Sequence, residues 1–357
     1  MIIHSVFRDY TADILQDALF IHRLTATQNR FTIIDRKIIR LYGELLSPLL
    51  EEGRYFAFEA TEENKTVYKV LEAIDEMITL KSRRNTRLIA VGGGIIQDVA
   101  CFLSTIIYRG IDWTFVPTTL LAQADSCIGS KSSINYKDYK NLIGAFYPPT
   151  EILIYPGFLD TLEKKEYFSG LGEVFKCSIM NGDRSFYESA GRLDAILGRD
   201  YEVLSLETEK ALSFKKGVIE KDEFDRGYRN IMNYGHTFGH ALESASAFEV
   251  PHGQGVSAGI ILANCVAAHR GLISEKFKQD VQKILLRIID TERIKPEYLN
   301  AEVMLEYMRK DKKFTGNRHS CILPIGNGVK KFSDITDGEA AAALAEVSKV
   351  LAETDKI

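Results

Sequence analysis

The stretch Asn233–His252, NYGHTFGHALESASAFEVPH, holds three of the seven histidines in the chain. His236 and His240 are four residues apart in a run of good helix formers, so a helix stacks both imidazoles on one face, within reach of a single metal ion. His252 follows Pro251 and precedes a glycine-rich apolar run. Three protein ligands with one open position is the pattern of a catalytic zinc site. A pair of helix histidines that only hydrogen-bond fits the same spacing, and spacing alone leaves both readings open. Upstream, GLGEVFK (Gly170–Lys176) sets Glu173 and Lys176 one turn apart in an otherwise apolar helix, which makes Glu173 a further candidate ligand.

A second kind of chemistry is suggested by LIAVGGGIIQD (Leu88–Asp98), an apolar strand that runs through Gly92, Gly93 and Gly94 into a helix. Glycines there let backbone N–H groups approach a pyrophosphate, whose charge the helix N-terminus favours. The pattern is GGG with Asp98 four residues on, not GxGxxG, and it also fits a tight turn without a ligand. Asp35 closes an earlier strand, where a carboxylate can meet a ribose hydroxyl or simply cap a turn. Between Arg109 and Pro149, Arg109, Lys131, Lys140 and Asn141 surround Asp125 in a context of small and apolar residues. That composition suits a site for a phosphorylated or polyhydroxylated ligand, with solvated surface charge as the alternative.

The elements that must hold these groups are legible as a pattern. Apolar runs at Arg30–Ile34, Arg54–Glu59, Arg87–Val91, Trp113–Pro117 and Glu151–Tyr155 alternate with amphipathic helical segments such as Thr66–Leu80, which predicts a mostly parallel sheet. Met1–Gln28 offers strand and helix material without chemistry, Gly182–Thr208 reads as a solvated helical hairpin of a second domain, and Glu339–Lys356 as a closing helix. The chain of 357 residues is long enough for two cores, and its net charge of −4 gives no global basic field for nucleic acid. No apolar run reaches membrane-spanning length; Val256–Ala268 fits a buried helix. Five cysteines without CxxC spacing read as reduced core thiols, and no leader pattern is evident, so the expected compartment is the cytoplasm.

In order and spacing, GGGIIQD, YRG, VPTTLLAQADS, KNLIGAF, GEVFK and NYGHTFGH with the later HG resemble the sugar phosphate cyclases, above all the 3-dehydroquinate synthases, from about Asp35 to beyond Lys313. More distant relatives, the glycerol dehydrogenase-like enzymes, share the fold but not these lysines. The resemblance implies an α/β Rossmann-like NAD-binding domain over residues 1–160 and a mainly α-helical metal- and substrate-binding domain over 161–357. It implies Glu173, His236 and His252 as ligands of zinc, with cobalt as a substitute. His240 then handles protons at the substrate, which revises the first reading of both HxxxH histidines as ligands. NAD contacts would come from Asp35, Glu62, Lys65, Gly92, Gly93, Gly94, Asp98, Thr118, Thr119, Leu121, Lys140 and Thr161. Substrate contacts would come from Asp125, Lys131, Asn141, Lys176, Lys215, Arg229, Asn233, His240 and either Lys312 or Lys313. Arg109 would reach the phosphate of a neighbouring subunit's substrate, implying a homodimer.

The implied reaction converts 3-deoxy-arabino-heptulosonate 7-phosphate to 3-dehydroquinate and phosphate through transient oxidation by NAD, β-elimination, re-reduction and aldol closure. A related cyclase acting on sedoheptulose 7-phosphate, an amino analogue or glucose 6-phosphate is the alternative, as is a metal-dependent polyol dehydrogenase. The usual pattern has Gly where this chain has Gln97, Ser130 and Tyr139, and Glu where it has Gln254. Those departures are either drift or a change of specificity.

Overall fold

The computed structural model describes residues 1–137, 139–290, 293–310 and 318–354. The apolar runs of the first half form a seven-stranded sheet. Its strands are β1 (Ile2–Ile3), β2 (Tyr10–Ile14), β3 (Arg30–Asp35), β4 (Tyr55–Phe58), β5 (Arg87–Gly92), β6 (Trp113–Pro117) and β9 (Glu151–Ile154). Their order is β1-β2-β9-β6-β5-β3-β4, parallel throughout except for the short β1–β2 edge. β6 is buried along its whole length and β5 is buried beyond Arg87, which is why both read as continuous rather than alternating apolar runs. Helices α1 (Phe20–Thr25), α2 (Arg36–Leu50), α3 (Val67–Thr79) and α4 (Gly94–Ile106) connect the early strands. All five expected strands form, to within a residue or so at their ends. The stretch after Asp125 holds an antiparallel hairpin, β7 (Lys131–Tyr136) with β8 (Tyr139–Phe146), that the sequence pattern did not announce.

The remaining helices are α5 (Lys164–Met180), α6 (Asp183–Ala190), α7 (Leu193–Leu197), α8 (Tyr201–Ile219), α9 (His236–Ala245), α10 (His252–His269), α11 (Glu275–Leu286), α12 (Ala301–Lys310) and α13 (Asp337–Thr354). A second hairpin, β10 (His319–Ile325) with β11 (Gly328–Ile335), precedes α13. The chain divides into two compact units, one of residues 1–162 with 204–224 and one of 163–203 with 225–357. A single cut at residue 160 lies close to the first crossing but does not anticipate the return of residues 204–224. The expected hairpin at Gly182–Thr208 is correspondingly α6 and α7 in the second unit and the start of α8, whose residues from Leu204 belong to the first. All five cysteines are buried and outside disulfides, and no described helix is long and apolar enough to cross a membrane.

Glycines set the spacing of the helices in the second unit. A Cβ on Gly253 of α10 would lie 1.8 Å from the Ser169 carbonyl oxygen of α5, and one on Gly172 would lie 2.1 Å from the Gly253 carbonyl. A Cβ on Gly259 would lie 2.0 Å from the Gly235 carbonyl at the start of α9. Backbone meets backbone along both seams, so no side chain can move aside to admit a methyl group. Gly253→Ala is therefore expected to cost about 2–3 kcal/mol of stability, after allowing for alanine's better helix propensity. Gly217→Ala, at an exposed position of α8 where nothing lies within 4 Å of the new atom, is expected to stabilise slightly. Urea midpoints of the two variants should move in opposite directions.

Candidate active site

In the second unit, three helices meet at a group of metal-type donors. Glu173 comes from the middle of α5, His236 from the first residue of α9 and His252 from the first residue of α10. The glycine seams bring these helix segments together. One ligand atom from each lies within 4.8 Å of the others. Glu173 Oε1 is 3.8 Å from His236 Nε2 and 3.6 Å from His252 Nε2. Both separations are too long for hydrogen bonds, and they approach the roughly 3.4 Å expected between tetrahedral ligands held at about 2.1 Å from one zinc. The Glu173 side chain is 1% exposed, and its Oε1 accepts no hydrogen bond from the described residues. A buried carboxylate oxygen left in that state is costly unless a cation meets it.

Both histidines present Nε2 to that carboxylate because their other nitrogens are engaged. His236 Nδ1 is 3.1 Å from the Tyr234 carbonyl, which can only accept, so Nδ1 carries the hydrogen and Nε2 keeps its lone pair. His252 Nδ1 is 2.9 Å from Glu243 Oε1. Burial, aided by the charge of Lys176, holds His236 well below the ordinary histidine range and so neutral, the form that ligates. At His252 burial acts in the same direction, but the Glu243 and Glu173 carboxylates together outweigh it and raise the pKa. Lys176, itself buried, ion-pairs with Glu173 Oε2. The donor set fits a divalent ion of the zinc type.

His240 lies one turn along α9 from His236, as its spacing predicts, with ring centroids 5.3 Å apart, but it is exposed. It has no place in the Glu173 group; its ligand-type neighbours are Glu243 and His252. Arg229 and Asn233 flank the approach to α9 on a short 3-10 segment, Arg229 buried and Asn233 donating to the Asn230 carbonyl at 3.0 Å. Lys312 and Lys313 lie outside the described residues. Sequence reasoning missed Glu243, although its i+7 and i+3 spacing from His236 and His240 puts it on their face.

In the first unit the nucleotide-type residues gather around Lys65. Its buried ammonium is 2.9 Å from Asn141 Oδ1, 3.2 Å from Asp98 Oδ2 and 3.3 Å from Glu62 Oε1. Ser133 adds two donors to Asp98, its backbone N–H at 3.1 Å and its hydroxyl at 3.0 Å. Burial nevertheless raises the Asp98 pKa, with Lys65 and Ser133 opposing. The three glycines close β5 and open α4, with Gly93 as the cap residue and no side-chain cap. A Cβ on Gly93 would lie 3.0 Å from the Thr119 methyl, and one on Gly92 would overlap Ile96 at 2.4 Å. These glycines serve close approach, not positive φ. Thr118 donates its N–H to the Gly92 carbonyl at 2.9 Å and Thr119 Oγ1 accepts from Ala122 at 3.2 Å, so the PTT turn is locked against the glycine turn. A glycine-lined helix N-terminus without a side-chain cap fits a pyrophosphate.

Other expected contacts are more dispersed. Asp35 caps α2, accepting from Lys37 N at 2.8 Å, and burial raises its pKa. Leu121 precedes the π-helical turn Ala122–Ser126, and Thr161 donates to the Tyr42 hydroxyl at 2.9 Å. Lys131, Lys140 and Asn141 are exposed on the β7–β8 hairpin. Lys215 of α8 ion-pairs with Asp125, 3.0 Å from Oδ1, and donates to its carbonyl at 2.6 Å. Arg109 is exposed, and Tyr108, Arg109 and Gly110 all have positive φ, at 49°, 63° and 120°. Two consecutive non-glycine residues in that region store strain, a feature that collects at functional sites.

Known proteins match this arrangement along most of the chain. Residues 55–169 match the model of the 3-dehydroquinate synthase N-terminal domain and residues 170–314 that of the C-terminal domain. The 3-dehydroquinate synthase of Dictyoglomus turgidum is 34% identical over 318 residues, covering 88% of each chain. A bifunctional 3-dehydroquinate synthase/phosphatase of Fusobacterium nucleatum is 35% identical over 341 residues; the match covers 94% of this chain but about half, 49%, of that larger protein. Among solved structures, the 2-epi-5-epi-valiolone synthase ValA of Streptomyces hygroscopicus, with NAD+ and Zn2+ bound, superposes with a TM-score of 0.83 at 25% identity over 96% of this chain and 97% of its own. With both domains matched in order and full-length relatives above 30% identity, the chain belongs to the 3-dehydroquinate synthase family.

Proposed function

We propose that the protein is a 3-dehydroquinate synthase-type cyclase that turns 3-deoxy-arabino-heptulosonate 7-phosphate into 3-dehydroquinate and inorganic phosphate. The observation that carries the reading is a pair of buried cations, Lys176 and Arg229, at 2% and 7% exposure in the unit that also holds the Glu173, His236 and His252 group. Burying a cation costs several kcal/mol even when it is paired, and two kept in the unit of the metal-type donors suit a strongly anionic ligand. A phosphorylated sugar acid is such a ligand; a simple polyol is not.

When bound, NAD would accept and return a hydride, and a zinc or cobalt ion would acidify the substrate hydroxyls. Glu173, His236 and His252 would hold the ion. Gly92, Gly93, Gly94, Asp98, Lys65, Glu62, Thr118 and Thr119 would bind and orient the nucleotide. Lys176 and Arg229 would hold the anionic groups and stabilise charge on the departing phosphate. In the first unit, Asp125 orients Lys215 through the ion pair between them. His240, exposed and grouped with Glu243 and His252, would hold or deliver a proton at a substrate hydroxyl.

Three of the four departures from the family pattern, Gln97, Ser130 and Gln254, are spent on structure, which supports the usual substrate. The Gln97 amide donates to the Ser126 carbonyl at 2.6 Å and accepts from its hydroxyl at 2.7 Å. The Ser130 hydroxyl donates to Glu223 at 3.1 Å. Gln254 bridges the Lys165 carbonyl, at 3.2 Å, and Asp290 N, at 2.9 Å. Tyr139 is 66% exposed at the end of the hairpin.

The test is phosphate release with zinc and NAD, on 3-deoxy-arabino-heptulosonate 7-phosphate and sedoheptulose 7-phosphate in parallel, with NADH absorbance followed in the same cuvette. The expected result is phosphate from the first substrate without accumulated NADH. Phosphate from the second alone would reassign the substrate. Steady NADH with no phosphate would replace the cyclase by a dehydrogenase.

A further inference from the structure

The two histidines of the metal group are oriented by different means. His236 is held by the Tyr234 main-chain carbonyl, which no side-chain replacement removes, and its side chain is only 12% exposed. His252 is 38% exposed at the first position of α10, so packing restrains it less. Its ring is pinned by the 2.9 Å bond from Nδ1 to Glu243 of the neighbouring helix α9. A carboxylate only accepts, so this bond places the hydrogen on Nδ1 and leaves the Nε2 lone pair facing Glu173.

The surroundings keep Glu243 in place for that purpose. Its side chain is 13% exposed. A Cβ on Gly255 would lie 3.2 Å from Glu243 Cγ and 3.4 Å from Oε1, so the glycine in the first turn of α10 makes room for the carboxylate. That turn has no acidic residue of its own, and its cap, Pro251, offers no side-chain acceptor. Glu243 thus supplies the negative charge that the helix N-terminus favours. Glu243 also falls within 4.8 Å of ligand atoms of His240 and His252, which would suit a directly ligating role. Its Oε1, however, is already committed to His252 Nδ1.

We propose that Glu243 is a positioning residue of the metal site: it fixes the tautomer and direction of His252 and does not itself bind the ion. This rests on the reading of Glu173, His236 and His252 as metal ligands. The test is zinc affinity and stoichiometry, by competition with a chromophoric chelator, for the full-length wild type, Glu243→Ala, Glu243→Gln and His252→Ala, together with the melting of each metal-free protein. The expected result is one zinc per wild-type chain, with affinity 10–100-fold weaker in Glu243→Ala. Glu243→Gln, which keeps an acceptor for Nδ1 but not the charge, should fall between, and metal-free melting of Glu243→Gln should match wild type. The cobalt-substituted wild type and Glu243→Gln should share one absorption spectrum at unequal affinity. Unchanged zinc affinity in Glu243→Ala would overturn the proposal. Two zinc ions in the wild type that fall to one in Glu243→Ala would also overturn it, since Glu243 would then be a ligand. A wild type that binds no zinc, or binds it as well after His252→Ala, would remove the metal reading and this inference with it, and the wild-type and His252 data identify that case.

Discussion

Glu173→Gln is expected to lower kcat/KM by about 10³-fold or more and also to weaken the metal-free protein, whereas His236→Ala should do mainly the first. A bound ion contributes several kcal/mol of charge stabilisation, and each 1.36 kcal/mol is a factor of ten in rate. Either substitution removes one of the three donors facing a common point, so both should lose metal and activity. They differ in what remains behind. His236 is neutral, and its loss leaves a small void. Glu173 is the carboxylate that compensates Lys176, whose side chain is 3% exposed. The amide in Glu173→Gln withdraws the carboxylate charge from beside that buried ammonium, and breaking a buried ion pair typically costs about 3–5 kcal/mol. Chemical denaturation in the presence of chelator separates the two effects. Equal metal-free stability of wild type and Glu173→Gln would show that the ion pair is not what holds Lys176. Retained activity in either variant would remove the trio as the metal site.

The same comparison shows why the sequence could nominate this site without resolving it. The HxxxH spacing correctly places His236 and His240 on one helical face, but a face is shared by every residue at i, i+4 and i+7. Which ring meets a carboxylate 63 positions upstream depends on how α5, α9 and α10 pack, and that is set by glycines whose role appears only when backbones are seen in contact. Glu243 was hidden for a related reason: in ALESASA it reads as an ordinary solvated helix residue. The strands were legible because burial on both faces leaves a continuous apolar run. The β7–β8 hairpin was not, since its polar residues, Lys131, Ser132, Ser133 and Asn135 among them, obscure the alternation. Nothing in the composition of α8 marks Leu204 as the point where the chain rejoins the first unit. Lys215 was therefore reachable by resemblance but not by pattern. TEENK looks like surface charge, yet Lys65 is 6% exposed.

That burial makes Lys65→Ala the second large effect. The ammonium serves Glu62, Asp98 and Asn141 at once, and its removal leaves Asp98, among the described residues, with the two Ser133 donors. Asp98 already has a pKa above the ordinary 3.8, because burial outweighs Lys65 and Ser133. A raised folded-state pKa means that the folded protein holds the proton more tightly than the unfolded chain. Ionised Asp98 thus opposes folding at every pH above its folded pKa, and the penalty fades as pH falls toward 3.8. Without Lys65, the foremost opposing influence is gone and the pKa climbs further. Lys65→Ala should accordingly lose about 3 kcal/mol near neutral pH, at the lower end for breaking a buried pair because Ser133 still donates. The deficit relative to wild type should shrink steadily in acid. Asp98→Asn added to Lys65→Ala removes the stranded charge and should restore most of the loss, a coupling that a double-mutant cycle reads directly. A deficit that keeps its size from pH 8 down to pH 4, or one that Asp98→Asn does not relieve, would mean that Lys65 acts through Glu62 or Asn141 instead.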